Sequence, residues 1–354
     1  MIAQPVNVQP WLLEYFTLFR LALFFCCFGY WVVGYHWFKP RGRELPAAIM
    51  AAWVQFSIGV LLDIQIVQRG YWVYRLMPLS LGGVPLDLHV NWALIWGFFL
   101  VWLYSRLRRY WRGPGFIVIY LSGWTTLTLA FDAAMAPYLL FLSRVSSVWW
   151  LVDTVFLFIV QGVTLWVYHS ILYPSQRAVW RQWSCRVRSV LYVGSLAYVF
   201  YAYLPGVVLN LTDGWAVSPL WHLNDWRVLA VAMLPPLLIG TWATLSFTDA
   251  GSGTPLPFDP PHRLVTTGPY AFVRNPMQIA GMMLAVLLVL YYPTPFMLLY
   301  VVDMGLTLSV LINLYEHGEM EQAFGDAYRH YASHVRNWLP RRSAYVAPAM
   351  RRSV

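Results

Sequence analysis

The chain has 354 residues, of which 59% are hydrophobic, 18% aromatic and 11% charged. Soluble domains carry about 25% charged residues, so this chain lacks the charge to cover a water-exposed surface. The composition indicates an integral membrane protein and excludes a soluble enzyme, a disordered chain and a secreted disulfide scaffold. The net charge is +9, and 23 of the 24 basic residues are arginine. The three cysteines have no metal-binding spacing, so we predict no metal site.

Apolar segments long enough, or nearly long enough, to cross a bilayer recur along the chain. We predict an all-α integral membrane protein, a multi-span bundle of about nine transmembrane helices. The predicted spans cover residues 12–38, 46–67, 88–105, 115–142, 148–173, 188–210, 226–247, 277–292 and 295–315. The last two spans are joined by Tyr291-Tyr292-Pro293-Thr294-Pro295, which predicts a tight helical hairpin because two prolines end one helix and begin another.

The basic residues alternate with these spans. The gaps after odd-numbered spans hold 19 basic residues and the gaps after even-numbered spans hold 4, with Arg20 inside the first span. Cytoplasmic loops carry the excess of Lys and Arg in membrane proteins. We therefore predict an extracytoplasmic N-terminus and a cytoplasmic C-terminus, and we predict no nucleic-acid partner. The sequence leaves the oligomeric state open.

Polar chemistry concentrates near the C-terminus. The predicted domains are an N-terminal transmembrane bundle of unknown role at residues 1–190 and a second membrane domain at residues 191–354. The second contains a Gly- and Pro-rich loop at 249–276, the hairpin at 277–315 and a cytoplasmic tail at 316–354. Because the hairpin returns the chain to its starting depth, Glu316 is expected near this loop.

An amphipathic helix is predicted after Glu316. Its aromatic stripe has helical spacing and favours packing against the membrane face or the hairpin over a cofactor wall. The stripe comprises Met320, Ala323, Phe324, Ala327, Tyr328 and Tyr331. The sequence Trp338-Leu339-Pro340 is expected to end the ordered part.

At this point the residues match a family pattern. The pattern comprises Leu264-Val265, Gly268-Pro269-Tyr270, Val273-Arg274-Asn275-Pro276, Glu316, Phe324-Gly325, Tyr328, Tyr331, Val335 and Trp338-Leu339-Pro340. This ordered set, over about residues 248–340, resembles the isoprenylcysteine carboxyl methyltransferase family, which is related to the membrane phospholipid methyltransferases. The resemblance implies a helical membrane core, a cytoplasmic site for S-adenosylmethionine and a lipid-borne acceptor.

The resemblance also implies roles for individual residues. The implied cofactor-binding residues are Leu264, Val265, Gly268, Tyr270, Asn275, Pro276, Gln278 and Glu316. The implied catalytic residues are Arg274, His317 and Arg336. The chain departs from the family pattern at three positions, where Asn275 replaces a histidine, His317 a second glutamate and Asn337 an arginine.

Acidic residues inside membrane spans are costly and point to function by default. They are Asp63, Asp132, Asp153 and Asp303. Asp303 lies in the middle of the last predicted span, where it is expected either to line a substrate channel or to pair with a buried donor.

The sequence therefore predicts an S-adenosylmethionine-dependent methyltransferase acting on a lipid-soluble or membrane-embedded acceptor. It does not separate carboxyl O-, amine N- and thiol S-methylation. Two alternatives stay open: an NADPH-dependent membrane reductase of a sterol-like lipid, and a non-enzymatic membrane transporter. The absence of an Arg-His-x-Asn-Tyr stretch counts against the reductase.

Overall fold

The computed structural model describes residues 10–74, 80–111, 113, 115–134, 142–212, 225–255, 261–311 and 317–346. The chain divides into two units, Met1–Ser175 and Gln176–Val354. The predicted boundary at residue 190 falls inside the helix Ala178–Tyr198, which belongs to the second unit. Arg186 and Ser189 of that helix bond to Asp249 and Thr248 of the same unit.

The first unit is a helical bundle with two short antiparallel strand pairs. Its described residues form the helices α1 (Pro10–Phe38), α2 (Glu44–Gln68), α3 (Leu86–Leu94), α4 (Val101–Leu107), α5 (Gly115–Ala134) and α6 (Trp149–Leu172). A π-helical turn, Ile95–Leu100, makes α3 and α4 continuous. Strand β1 (Trp72–Tyr74) pairs with β4 (Leu142–Arg144), and β2 (Ser80–Leu81) pairs with β3 (Val84–Pro85). Helix α6 packs against both α2 and α5.

Asp63 is the polar centre of the first unit. Its carboxylate is fully buried and accepts hydrogen bonds from Trp72 Nε1 at 2.9 Å and Tyr74 Oη at 2.8 Å. His89 Nε2 lies 3.0 Å from the same carboxylate. Buried polar oxygens are tolerated when they are hydrogen-bonded in this way. Asp63 therefore ties β1 and α3 to α2, which is a structural role.

The described residues of the second unit form six α-helices, a π-helical turn and a 3₁₀ turn. The α-helices are α7 (Ala178–Tyr198), α8 (Leu204–Leu211), α9 (Trp226–Gly251), α10 (Pro276–Tyr291), α11 (Pro295–Leu311) and α12 (His317–His334). The π-helical turn Val199–Tyr203 joins α7 to α8, and Gly268–Ala271 forms the 3₁₀ turn. Helix α10 packs against α9 and α11, so the predicted hairpin of α10 and α11 is present.

Seven helices of the described chain are long and apolar enough to cross a membrane, and each coincides with one of the first seven predicted spans. Helices α10 and α11 coincide with the last two but are shorter. At 1.5 Å per residue, the 16 residues of α10 rise about 24 Å, less than the roughly 30 Å of a hydrocarbon core. The all-α membrane architecture is thus confirmed, while the count of nine and the orientation stay predictions.

Candidate functional site

A cleft opens in the second unit between the end of α9, the loop before α10, helix α12 and the chain after α12. The empty space in this cleft and in the solvent at its mouth amounts to about 490 Å³. The walls of the cleft are formed by Phe247, Pro261, Leu264, Val265, Tyr270, Arg274, Asn275, His317, Met320, Phe324, Tyr328, Tyr331 and Asn337. Aromatic rings and a few convergent polar groups make up this lining, which is typical of small-molecule sites.

A tight turn at Gly268 shapes the loop wall. Gly268 has a φ of +61°, and Pro269 follows it into the 3₁₀ turn. A Cβ on Gly268 would lie 2.5 Å from Ser246 Oγ and 3.0 Å from Ser246 Cβ on α9. Glycine is therefore required both by the backbone conformation and by the close approach of α9. The turn packs Tyr270 against Phe247 of α9, with ring centroids 5.7 Å apart.

The chain after α12 holds the same loop from its other side. The backbone N–H groups of Arg274, Arg341 and Tyr345 donate to the carbonyls of Arg336, Phe272 and Ala271, at 2.9, 2.9 and 2.8 Å. The expectation that the ordered part ends at Pro340 was wrong, because residues 341–345 complete this hydrogen-bonded contact.

Helix α12 supplies the aromatic wall. It is broken at Gly325, whose φ of 52° and ψ of −129° are not helical. Met320 and Phe324 lie before the break, and Tyr328 and Tyr331 lie after it. The sequence favoured a packing role for this stripe, and the structure adds a second role, because all four side chains line the cleft.

A polar network crosses the cleft. Tyr328 Oη lies 2.8 Å from His317 Nδ1, and Arg274 Nη1 lies 3.4 Å from each of these two atoms. Asn337 Nδ2 lies 3.3 Å from His317 Nε2. Burial lowers the pKa of His317 from its ordinary value, and the Arg274 guanidinium lowers it further. His317 is therefore neutral near pH 7.

Three polar side-chain atoms around the cleft are buried and have no hydrogen-bond partner among the described residues. They are Arg274 Nε, Asn275 Nδ2 and Asn337 Oδ1. Buried polar atoms are nearly always paired, so unpaired ones in a concave site indicate the place of a polar ligand. Asn275 is 5% exposed and stands directly before α10.

Six of the twelve predicted site residues lie in the walls of this cleft: Leu264, Val265, Tyr270, Arg274, Asn275 and His317. Gly268 shapes the turn, and Pro276 begins α10. Arg336 contributes its backbone carbonyl to the loop contact while its side chain is exposed. These positions do not test the predicted roles, which stay predictions.

The remaining predicted residues lie elsewhere. Gln278 is a half-buried residue of α10 that is not in the cleft wall. Asp303 is exposed on α11, also away from the cleft. Glu316 lies outside the described residues.

Seven of the wall residues were not predicted as site residues: the four residues of the α12 stripe described above, and Phe247, Pro261 and Asn337. Phe247 ends an apolar span, where nothing in the sequence distinguishes it from a lipid-facing residue. Pro261 lies in a proline-rich loop, and nothing in the sequence marks it as different from the other prolines there. Asn337 could have been recognised as a site residue, because it stands where the family pattern has arginine.

Comparison with known families gives one result for this region. Residues 229–327 match the phospholipid methyltransferase family. This confirms the resemblance seen in the C-terminal part of the sequence, and the matched segment includes most of α9, the cleft loop, α10, α11 and the first part of α12. No curated protein and no solved structure matches the chain. The matched phospholipid methyltransferase segment covers over a quarter of the chain, and the first unit lies outside it.

Proposed function

We propose that this protein transfers a methyl group from S-adenosylmethionine to a lipid-soluble acceptor in the membrane. The observation that supports the proposal most strongly is that the segment matching the family forms much of the cleft wall. The segment that matches phospholipid methyltransferases supplies Phe247, Tyr270, Arg274 and Asn275 to one cleft, together with the first turns of α12.

The cleft residues fit the chemical groups of S-adenosylmethionine. That molecule has a carboxylate, an ammonium group, an adenine and a sulfonium, and it supplies an activated methyl group. Arg274 Nε and Asn275 Nδ2 are buried donors that have hydrogens to offer a carboxylate. The faces of Tyr270, Tyr328 and Tyr331 offer the electron-rich surfaces that favour a cation.

Catalysis by this site rests mainly on positioning. Because the methyl group is already activated, the protein has to align two reactants and exclude water. The loop is fixed for this task from two sides, by α9 at Gly268 and by the tail at Arg274, Phe272 and Ala271. A rigid wall of this kind retains the alignment of a bound reactant.

The acceptor is expected to reach the cleft from the bilayer. Helix α9 is one of the seven helices long and apolar enough to span a membrane, and its residue Phe247 forms part of the cleft wall. Met320 and Phe324 extend the apolar lining along α12. A hydrophobic acceptor thus has apolar surface next to the polar network, and the predicted channel role of Asp303 belongs to the same proposal.

Calorimetric titration of the purified full-length protein in detergent tests the proposal. We expect saturable binding of S-adenosylmethionine and of its demethylated product. Replacing Arg274 by methionine (Arg274→Met) is expected to weaken binding about tenfold or more, since a hydrogen bond to a charged group contributes about 1.5–3 kcal/mol.

Arg329→Met is the matched control. Arg329 is an exposed arginine of the same unit whose ion pairs with Glu321 and Asp326 lie at the surface. Its loss should leave the affinity unchanged. If the folded wild-type protein binds neither compound, the methyltransferase proposal fails, and titration with nicotinamide cofactors and then transport assays would test the two alternatives.

A further inference from the structure

The cleft contains a tyrosine–histidine pair whose hydrogen bonds have a defined direction. Tyr328 is 8% exposed, and its hydroxyl lies 2.8 Å from His317 Nδ1. Arg274 Nη1 is 3.4 Å from both atoms. An arginine side chain only donates hydrogen bonds. Because Arg274 can only donate to these two neighbours, the arrangement that suits all three side chains is the one in which His317 Nδ1 carries no hydrogen.

The direction of the Tyr328 bond follows. Because Nδ1 of His317 is an acceptor, the Tyr328 hydroxyl donates its own proton to it. The neutral imidazole then carries its hydrogen on Nε2. His317 Nδ1 is thus unprotonated and can take up a proton from the Tyr328 phenol, which is part of the cleft wall.

This tautomer also resolves the arrangement at Asn337. A hydrogen on His317 Nε2 requires an acceptor, and the Asn337 amide atom 3.3 Å away must then be the oxygen. The oxygen and nitrogen of an amide are exchanged by a simple rotation. Rotating the Asn337 amide brings its oxygen to His317 Nε2 and turns its nitrogen to the buried position that has no partner among the described residues. In this orientation Asn337 accepts from His317 Nε2 and stabilises the Nε2–H tautomer.

The other cleft tyrosine is not equivalent to Tyr328. Tyr331 donates its hydroxyl hydrogen to the backbone carbonyl of Tyr270 at 2.7 Å. A backbone carbonyl does not take up a proton near neutral pH, whereas an imidazole does. Among these two phenols, Tyr328 alone is joined to a base.

We propose that Tyr328 and His317 form a proton relay that removes a proton from the methyl acceptor. This inference rests on the proposed methyltransferase function and narrows its acceptor to a nucleophile that loses a proton, such as an amine, a hydroxyl or a thiol. A carboxyl group, with an ordinary pKa near 4, is already ionised at neutral pH and requires no base.

The chemical step balances. The acceptor heteroatom forms a bond to the methyl carbon, the carbon–sulfur bond breaks, and its electron pair stays on sulfur. The acceptor proton passes to Tyr328 Oη as the tyrosine proton passes to His317 Nδ1. One positive charge disappears at sulfur and one appears on the imidazole, so the net charge of the cleft does not change.

The groups that face His317 are consistent with this role. Arg274 from the loop is the nearest cation, Glu321 from α12 acts on the ring at longer range, and Tyr328 and Asn337 are its neutral partners. Burial and Arg274 lower the pKa of His317, which keeps the resting imidazole unprotonated and makes the imidazolium formed in the relay short-lived.

Nitrogen NMR of the ¹⁵N-histidine-labelled full-length protein in detergent tests the relay without an acceptor. The His317 signals are assigned as those lost in His317→Gln. We expect the Nε2–H tautomer at pH 7 and a change in the Nδ1 shift in Tyr328→Phe. An Nδ1–H tautomer or an imidazolium at pH 7 would overturn the proposal.

Tyr345→Phe provides the matched control for the NMR experiment. Tyr345 Oη lies 2.9 Å from His330 Nδ1, so this pair has the same chemistry as Tyr328 and His317 but lies outside the cleft wall. Its removal should shift His330 and leave His317 unchanged. A shift at His317 of the same size in both variants would indicate a general structural change and count against the relay.

The chemical linkage of the product gives a second readout. Membranes containing the protein are incubated with methyl-labelled S-adenosylmethionine, and the labelled lipid is treated with alkali. We expect an alkali-stable product and a rate about 100-fold or more lower in Tyr328→Phe at unchanged cofactor affinity. Label released as methanol would reveal a methyl ester and overturn the relay, whereas absence of cofactor binding in calorimetry defeats the proposed function itself.

Discussion

Asn275 stands directly before α10, at a position where the family pattern has histidine. An amide has hydrogen-bonding groups but does not exchange protons near neutral pH. In the structure Asn275 has a buried nitrogen without a partner among the described residues, while His317 lies elsewhere in the same cleft. The two proposals above therefore place proton transfer and ligand binding on different residues of the cleft.

Asn275→Ala should weaken the binding of S-adenosylmethionine about fivefold or more. The substitution removes a donor from the cleft wall, and leaving a buried polar partner unpaired costs about 1–3 kcal/mol. Calorimetry of the folded variant checks this prediction. Gln322→Ala, which truncates an exposed amide on α12, should retain the wild-type affinity. Equal affinities for all three proteins would remove Asn275 from the binding site.

His317 should make the stability of the protein depend on pH. Its pKa is lowered in the folded state by burial and by Arg274, so the unfolded chain binds more protons as the pH falls below about 6.5. The stabilisation from neutral His317 is present above this pH and is lost as the pH falls through the lowered pKa. We expect a shallower acid slope of the thermal midpoint in His317→Gln than in wild type.

The control for this pH series is Gln322→Ala, which changes an exposed side chain of the same helix that has no titratable group. Its thermal midpoint should follow the wild-type slope between about pH 5 and 7. A His317→Gln slope identical to that of wild type would mean that His317 is not desolvated as the structure shows.

At the scale of elements, the spans could be predicted and the cleft could not be predicted completely. About 20 apolar residues in a row are sufficient to indicate a membrane helix, because each span by itself has to match the thickness of the hydrocarbon core. The break at Gly325 is different. Phe324 and Tyr328 follow helical spacing in the sequence, and only the backbone shows that the helix is interrupted between them.

Gly268→Ala should destabilise the cleft loop by about 1–3 kcal/mol, since a non-glycine residue is strained at positive φ and its Cβ would contact Ser246. Thermal unfolding in detergent measures the effect. Gly318→Ala is the matched control, because Gly318 lies in the first turn of α12 and a Cβ added there would have no heavy atom within 4 Å. Its midpoint should be unchanged or higher. A Gly268→Ala midpoint equal to that of the control would contradict the loop conformation.

At the scale of the whole molecule, composition and charge were sufficient to predict a membrane protein and most of its spans. The low content of charged residues predicted a membrane protein, and seven of the predicted spans are helices of sufficient length. The sequence did not predict that the division between the two units falls after Ser175. This division depends on which segments distant in sequence pack together, as α7 does with α9, where Arg186 pairs with Asp249. Each of these segments by itself looks like an ordinary loop or span end.

The orientation of the chain can be tested directly. With 19 basic residues in one set of gaps and 4 in the other, we expect the C-terminus in the cytoplasm. A C-terminal green fluorescent protein fusion should be fluorescent in a bacterial host, and a C-terminal alkaline phosphatase fusion should be inactive. The reverse pair of results would place the cleft on the other side of the membrane.

The contact between the tail and the cleft loop has a consequence for solvent exchange. Three backbone amides, at Arg274, Arg341 and Tyr345, are held by carbonyl groups across this contact. Amide hydrogens in such bonds exchange with deuterium only when the structure opens locally. If the tail separates from the loop as one piece, these three hydrogens exchange at a common rate, and a ligand in the cleft slows all three together. Deuterium uptake at the end of the chain thus reports on the state of the cleft without any label placed inside it.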